Sequence, residues 1–115
     1  MKYYSTSKNL ILNVKNFIEI NHYKFQNIIT EDVFIGWGRK KSGLKSIKLS
    51  KRNNCKFKLL EDGFIRSIDL GINNDVPFSI VEDTQGIYYD CNTNSDLEDL
   101  CNFYDFKNDK ELLEL

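Results

Sequence analysis

Residues 31–63 read EDVFIGWGRKKSGLKSIKLSKRNNCKFKLLEDG. A short apolar run, Val33-Phe34-Ile35, is closed by Gly36 and Gly38. A basic loop containing glycine follows, and then a helical stretch over about 42–52, with Leu44, Ile47 and Lys48 sharing one side. A second apolar run, Phe57, Leu59 and Leu60, ends at Glu61-Asp62-Gly63. Apolar runs closed by glycine suit strands that are buried on both faces, as in a parallel sheet. Strand, glycine-rich loop, helix, strand is the order of a βαβ unit. The stretch therefore predicts an α/β fold with a short parallel sheet.

On the N-terminal side, residues 5–20 carry Leu10, Ile11, Val14, Phe17 and Ile18 at helical spacing, with Ser5, Thr6 or Ser7 as the cap. HYKFQNI reads as a short strand or a turn. On the other side, residues 64–76 lack a period and read as a long loop. FSIVED reads as a strand, TQG as a turn and IYYD as the returning strand, which makes a β-hairpin with Gly86 at a positive φ. Ser95 opens a helix, because S-D-L-E is a capping box with Glu98 three residues after the cap. Leu97, Leu100 and Cys101 give that helix an apolar side. Asn108 or Asp109 caps a last helix, KELLEL. The expectation is one α/β domain over 1–115 with C-terminal helices and no repeats.

The totals exclude several functions. The chain has 115 residues, 16 Lys and Arg against 17 Asp and Glu, and a net charge of −1. Such a balance gives no general attraction to nucleic acid. Three widely spaced cysteines, Cys55, Cys91 and Cys101, and one distant histidine, His22, suit neither a zinc site nor a disulfide framework. They read as small core residues in a reduced, cytoplasmic protein. No metal or cofactor is expected. There is no signal-peptide pattern and no apolar run near the ~20 residues of a membrane span. Any contact with the inner membrane would be peripheral.

Two loops stand out because ligands of open α/β sheets bind beyond the carboxyl ends of the strands. In the first, Gly36, Trp37, Gly38, Arg39 and Lys40 combine close backbone approach with positive charge, which suits a phosphate or a sugar carboxylate. The same residues also suit a tight turn before a solvated basic helix start, since the spacing is not GxGxxG. In the second, Glu61 and Asp62 could act as a general base and its supporting charge, mutual repulsion raising one pKa. Gly63 would turn the backbone, and Arg66 could clamp a carboxylate or phosphate. A solvated turn with Arg66 as counter-ion fits equally well. Tyr88, Tyr89 and Asp90 suit the lining of a sugar site, or rim packing.

The ordered set GWGRK, LLEDGFIRS, LG, PFSIVEDTQGIYYD and SDLEDL resembles the bacterial capsule polysaccharide biosynthesis family. These are the β-Kdo glycosyltransferases that build the Kdo linker between phospholipid and capsule polymer. The resemblance covers about residues 32–103. It implies a GT-B-type arrangement of Rossmann-like halves, CMP-Kdo as donor and a lipid-linked, Kdo-bearing sugar acceptor. The EDG triplet is similar to the acidic motif of bacterial sialyltransferase-like enzymes. That similarity implies catalytic roles for Glu61 first and Asp62 second, with Arg66 and Ser67 completing the loop. The family's His-Pro nucleotide element has no counterpart here, where Pro77 is the only proline. The resemblance thus implies an acceptor-side portion, inactive alone. Its partner would be a nucleotide-binding domain or a longer transferase. A non-catalytic assembly module and a gene remnant are the alternatives.

Overall fold

A computed structural model describes residues 1–63, 77 and 79–114. Arg66, Ser67, Phe78 and the expected 64–76 loop lie outside the described residues. The elements are β1 (Tyr3–Ser5), α1 (Lys8–Val14), β2 (Asn21–His22), β3 (Val33–Trp37), α2 (Lys41–Asn53), β4 (Lys56–Asp62), β5 (Ile80–Asp83), α3 (Asp96–Phe103), a 3-10 turn (Phe106–Asn108) and α4 (Lys110–Leu113). The strands form one sheet in the order β2-β1-β3-β4-β5. The pairs among β1 to β4 are parallel, and β5 joins β4 antiparallel. The expected α/β class with a short parallel sheet is what the chain adopts.

The central register is Val33↔Lys56 through Trp37↔Leu60. Alternation along the strands then divides the side chains between two faces. Val33, Ile35 and Leu60 meet Leu10, Val14 and Ile20 in one core, with Trp37 and Ile80 packed against it. Phe34 and Gly36 point to the opposite face, where α2 lies. Each buried aliphatic side chain on these faces contributes roughly 1.5–3 kcal/mol.

Strand β1 was not anticipated, because three residues, Tyr3-Tyr4-Ser5, are too few to show a period. It is held by Val33 N donating to Lys2 O (2.9 Å) and Lys2 N donating to the buried Asp32 carboxylate (2.8 Å). The first helix is correspondingly shorter than residues 5–20. Ser7 caps it, accepting from Leu10 N, and it ends at Val14, whose carbonyl accepts from both Phe17 and Ile18.

Helix α2 forms where expected but presents the other side. Gly43, Ser46 and Ser50 are buried, whereas Leu44 is 53% exposed. The reason is the closeness of helix and strand. A Cβ on Gly36 would lie 2.3 Å from the Ser42 carbonyl oxygen, and one on Gly43 would lie 1.8 Å from that of Gly38. Only small residues fit there. The buried hydroxyls are satisfied inside the helix, Ser46 on Ser42 O and Ser50 on Ile47 O.

The expected hairpin does not form. β5 is present, but residues 87–90 make a turn closed by Asp90 N donating to Ile87 O. Gly86 does not have a positive φ, since Gly38 is the one glycine with positive φ among the described residues. The buried Asp83 carboxylate redirects the chain instead. It accepts from the backbone N–H groups of Gln85, Gly86 and Asp96 and leaves no ladder for a return strand. The Ser95 capping box and the Asp109 cap form as read. Among the described residues no residue of α3 is buried, and on its apolar side Leu97 is partly buried and Leu100 half exposed. Cys91 and Cys101 are exposed rather than core residues, and all three cysteines are free thiols.

Candidate functional site

The carboxyl ends of β3 and β4 lie side by side, because Trp37 pairs with Leu60 in the parallel ladder. Gly38 N extends that contact by donating to Leu60 O at 2.8 Å. The GWGRK loop and the EDG triplet therefore share one edge, as the sheet rule requires.

Strand alternation separates the two carboxylates. Glu61 pairs with Val81 and Asp62 with Ile80, and Ile80 packs on the α1 face. Asp62 thus belongs to the α1 face together with Trp37, and Glu61 to the α2 face. Strand β4 runs through both residues and sends their side chains to opposite sides of the sheet, so one of the two carboxylates faces α2.

On the α2 face the end of β4 and two loops converge. Glu61 Oε1 accepts from the Tyr89 hydroxyl at 3.0 Å. That hydroxyl accepts in turn from the Arg39 backbone N–H at 3.1 Å. The Arg39 guanidinium pairs through Nε with Asp90 at 2.7 Å and donates to the Thr93 hydroxyl at 3.1 Å. Gly38, at φ +44°, lies directly beneath. A Cβ there would sit 2.0 Å from Glu61 Oε1 and 2.4 Å from the Tyr89 oxygen. Gly38 is therefore required twice, by its left-handed backbone and by the space that Glu61 and Tyr89 fill.

The electrostatics follow from this packing. Burial pushes the Glu61 carboxyl above its ordinary range. The neighbouring Asp62 charge adds to that, while the Tyr89 hydroxyl and the Lys40 charge oppose it. Repulsion between the two carboxylates thus contributes, but burial is the larger cause. Burial also raises the Tyr89 phenol, against the Arg39 N–H. The Asn92 N–H holds Asp90 below the usual carboxylate range, helped by the Asn92 side chain and Arg39 and opposed by burial.

The remaining expected residues fall as follows. Lys40 is exposed and stands at the N-cap of α2, near enough for its charge to act on Glu61. Gly36 lies under α2 and contacts its backbone. Gly63 serves packing, not a left-handed turn: its N–H donates to Ser79 O at 2.8 Å, and a Cβ would be 2.0 Å from Ser79 Oγ. Tyr88 is exposed and meets Tyr89 edge-on, with ring centroids 5.5 Å apart. Thr93 was missed by the sequence reading. A lone threonine carries no pattern, although Gly86 hints at it, since a Cβ on Gly86 would be 2.1 Å from Thr93 Oγ1. Among the described residues no three His, Cys, Asp or Glu side chains are grouped to hold a metal, and no helix is long and apolar enough to cross a membrane.

The family described as capsule polysaccharide biosynthesis protein matches residues 32–108, which include every element of this network. The capsule polysaccharide modification protein LipA of Neisseria meningitidis serogroup A is 41% identical over 69 residues, covering 60% of this chain and 10% of that protein. The lipopolysaccharide-processing protein LpsZ of Rhizobium meliloti is 36% identical over 75 residues, covering 62% of this chain and 16% of that protein. Among solved structures, Thermosulfurimonas dismutans KpsC, a beta Kdo 2,4 transferase, superposes with a TM-score of 0.76 at 30% identity. It covers 90% of this chain, which spans 33% of KpsC. The chain thus spans a small part of the length of its relatives. It belongs to the capsule polysaccharide biosynthesis protein family.

Proposed function

We propose, from that family membership, that the chain forms the acceptor side of a β-Kdo transferase of capsule polysaccharide biosynthesis, with Glu61 as general base. The observation that carries this reading is the Glu61 carboxylate at the carboxyl end of β4. It is half-buried, shifted toward neutrality, and held between the Gly38 backbone and Tyr89. A base raised toward the working pH is the better proton acceptor.

In this reading an acceptor-sugar hydroxyl gives its proton to Glu61 while its oxygen attacks the anomeric carbon of Kdo. The bond from that carbon to the phosphate of CMP-Kdo breaks, and CMP leaves with the bonding electron pair. Lys40 and Lys41, exposed at the start of α2, offer charge to the carboxylate of a Kdo-bearing acceptor. Arg39 is given no such role in this reading, because its Nε pairs with Asp90 and one terminal nitrogen donates to Thr93. In this reading Asp62, on the α1 face, supplies the neighbouring charge that adds to the Glu61 shift. CMP-Kdo would be held by a nucleotide-binding domain of a longer transferase.

The test has two arms. Amide spectra of the chain are recorded with a Kdo-terminated acceptor headgroup and, separately, with CMP. The acceptor should perturb Gly38, Lys40 and Glu61, and CMP should not. The chain is then complemented with the donor half of a KpsC-type transferase. Glu61→Gln should lower Kdo transfer by roughly 10²–10⁴-fold, the range of general-base contributions, and Asp62→Asn by far less. Full activity of the Glu61→Gln variant would sink the proposal and favour a non-catalytic assembly module.

A further inference from the structure

The Glu61–Tyr89 bond spans 28 residues of sequence and joins the end of β4 to a loop that has no regular structure of its own. A tyrosine that only filled the rim would be held by ring packing. Tyr89 has an edge-on contact with Tyr88 but is also held through its oxygen. Its ring is half exposed, while its hydroxyl accepts from Arg39 N and donates to Glu61.

We infer that Tyr89 is the positioning residue of Glu61: its hydroxyl, fixed by the Arg39 backbone N–H, holds Oε1 over Gly38 and sets where the carboxylate points. The inference rests on Glu61 being the base, and it adds what aims that base. A hydrogen bond to a charged acceptor is worth roughly twice a neutral one, so a single hydroxyl is enough to select one carboxylate rotamer.

The aim depends on the whole 83–96 segment. Asp83 accepts from Gln85, Gly86 and Asp96 backbone N–H groups and closes the segment at both ends. Arg39 clamps its far side through Asp90 and Thr93. Gly86 sits under Thr93 with no room for a side chain. Tyr89 is thus carried on a loop fastened to the same β3–α2 connection that supplies Gly38. The carboxylate, the glycine beneath it and the tyrosine above it are thus joined by one set of contacts. The ionisable groups that act on Glu61 among the described residues are Tyr89 from the loop and Lys40 from the β3–α2 connection, with Asp62 acting by its charge from the opposite face of the strand.

The experiment uses the chain itself, with ¹³C-labelled Glu and Tyr side chains. The Glu61 carboxyl is titrated by NMR in the wild type, in Tyr89→Phe and in Tyr104→Phe, a control whose hydroxyl bonds to Asp109. Exchange of the Arg39 amide is followed in parallel. In Tyr89→Phe the Glu61 midpoint should move upward, because a donor to the charged form is lost. The Arg39 amide should exchange faster, and Tyr104→Phe should change neither. Faster Arg39 exchange with an unmoved Glu61 midpoint would make Tyr89 a loop anchor only and overturn the inference. No change in either would overturn it as well. Should Tyr89→Phe fail to fold, the wild type suffices: the Tyr89 Cζ shift must follow the Glu61 midpoint, and a flat Cζ shift across that range refutes the contact. The two readings separate cleanly. If Glu61→Gln leaves Kdo transfer intact while Tyr89→Phe moves the titration, the base assignment falls and the positioning stands.

Discussion

Gly43→Ala tests the contact on which the candidate site is built. By helix propensity alone the change should help, since glycine costs up to about 1 kcal/mol relative to alanine in a helix interior. The structure predicts the reverse. The new Cβ would lie 1.8 Å from the Gly38 carbonyl oxygen, 2.9 Å from Gly38 C and 3.0 Å from the Trp37 oxygen. All three obstacles are backbone, so no rotamer relieves them. Ordinary contact begins near 3.4 Å, so the start of α2 must retreat from the β3–α2 connection by about 1.6 Å. Overpacking of this kind costs about 1–3 kcal/mol. A net loss of about 1 kcal/mol is expected once the propensity gain is subtracted, or roughly 4 °C in Tm for a domain of this size. Gly36→Ala drives the same two elements apart from the other side, with its Cβ 2.4 Å from Gly43 Cα. The double variant should therefore lose less than the sum of the singles, because one displacement of α2 relieves both clashes. Thermal and urea denaturation of the three variants, followed by far-UV circular dichroism, measures this. Unchanged or increased stability in Gly43→Ala, or full additivity in the pair, would refute the close-contact reasoning.

Ser95→Ala should cost about 1 kcal/mol, the usual loss of a side-chain cap, because Ser95 Oγ accepts from Glu98 N while Glu98 accepts from Ser95 N. Urea denaturation reads it, and Ser95→Asp should recover most of the loss. For Asp32, burial alone would raise the carboxyl, but the Ile29 and Lys2 N–H groups outweigh it and hold it below its ordinary value. A depressed carboxylate adds stability above its unfolded pKa, and this is lost as pH falls through the lower folded value. Asp32→Asn should therefore be less stable than the wild type at neutral pH, by about 1–3 kcal/mol for the N–H left unsatisfied. The gap should narrow as pH falls below about 4. A gap that stays constant with pH would show that Asp32 acts through shape and not charge.

Much of this molecule was legible in residues 31–63. Two apolar runs closed by glycine and a basic helix between them yielded the parallel βαβ unit, and both candidate loops fell at strand ends as read. The S-D-L-E capping box and the Asp109 cap were equally legible, because a cap is a local interaction between residues three apart. Three readings failed for lack of local signal. β1 is too short to show a period. The buried side of α2 follows from Gly36 and Gly43 facing one another, and its small serines do not look like a core face. IYYD has strand composition, but Asp83 takes the backbone bonds that a hairpin would need.

The candidate site divides in the same way. Sequence by itself determined which residue types stand at the sheet edge: a glycine loop, an acidic pair and a tyrosine-bearing loop, in an order that identifies the family. It could not rank Glu61 against Asp62, because adjacent carboxylates are chemically equivalent until a strand sends them to opposite faces. It offered Arg39 to a ligand, whereas Asp90 and Thr93 hold it. Tertiary structure decided what each of these side chains touches. Only when α2 closes on β3 through two glycines, and the 87–93 loop folds back over them, does one face of β4 acquire partners. Which carboxylate bonds Tyr89 and lies over Gly38 depends on contacts between residues 23 to 54 positions apart, and no local pattern encodes contacts of that range.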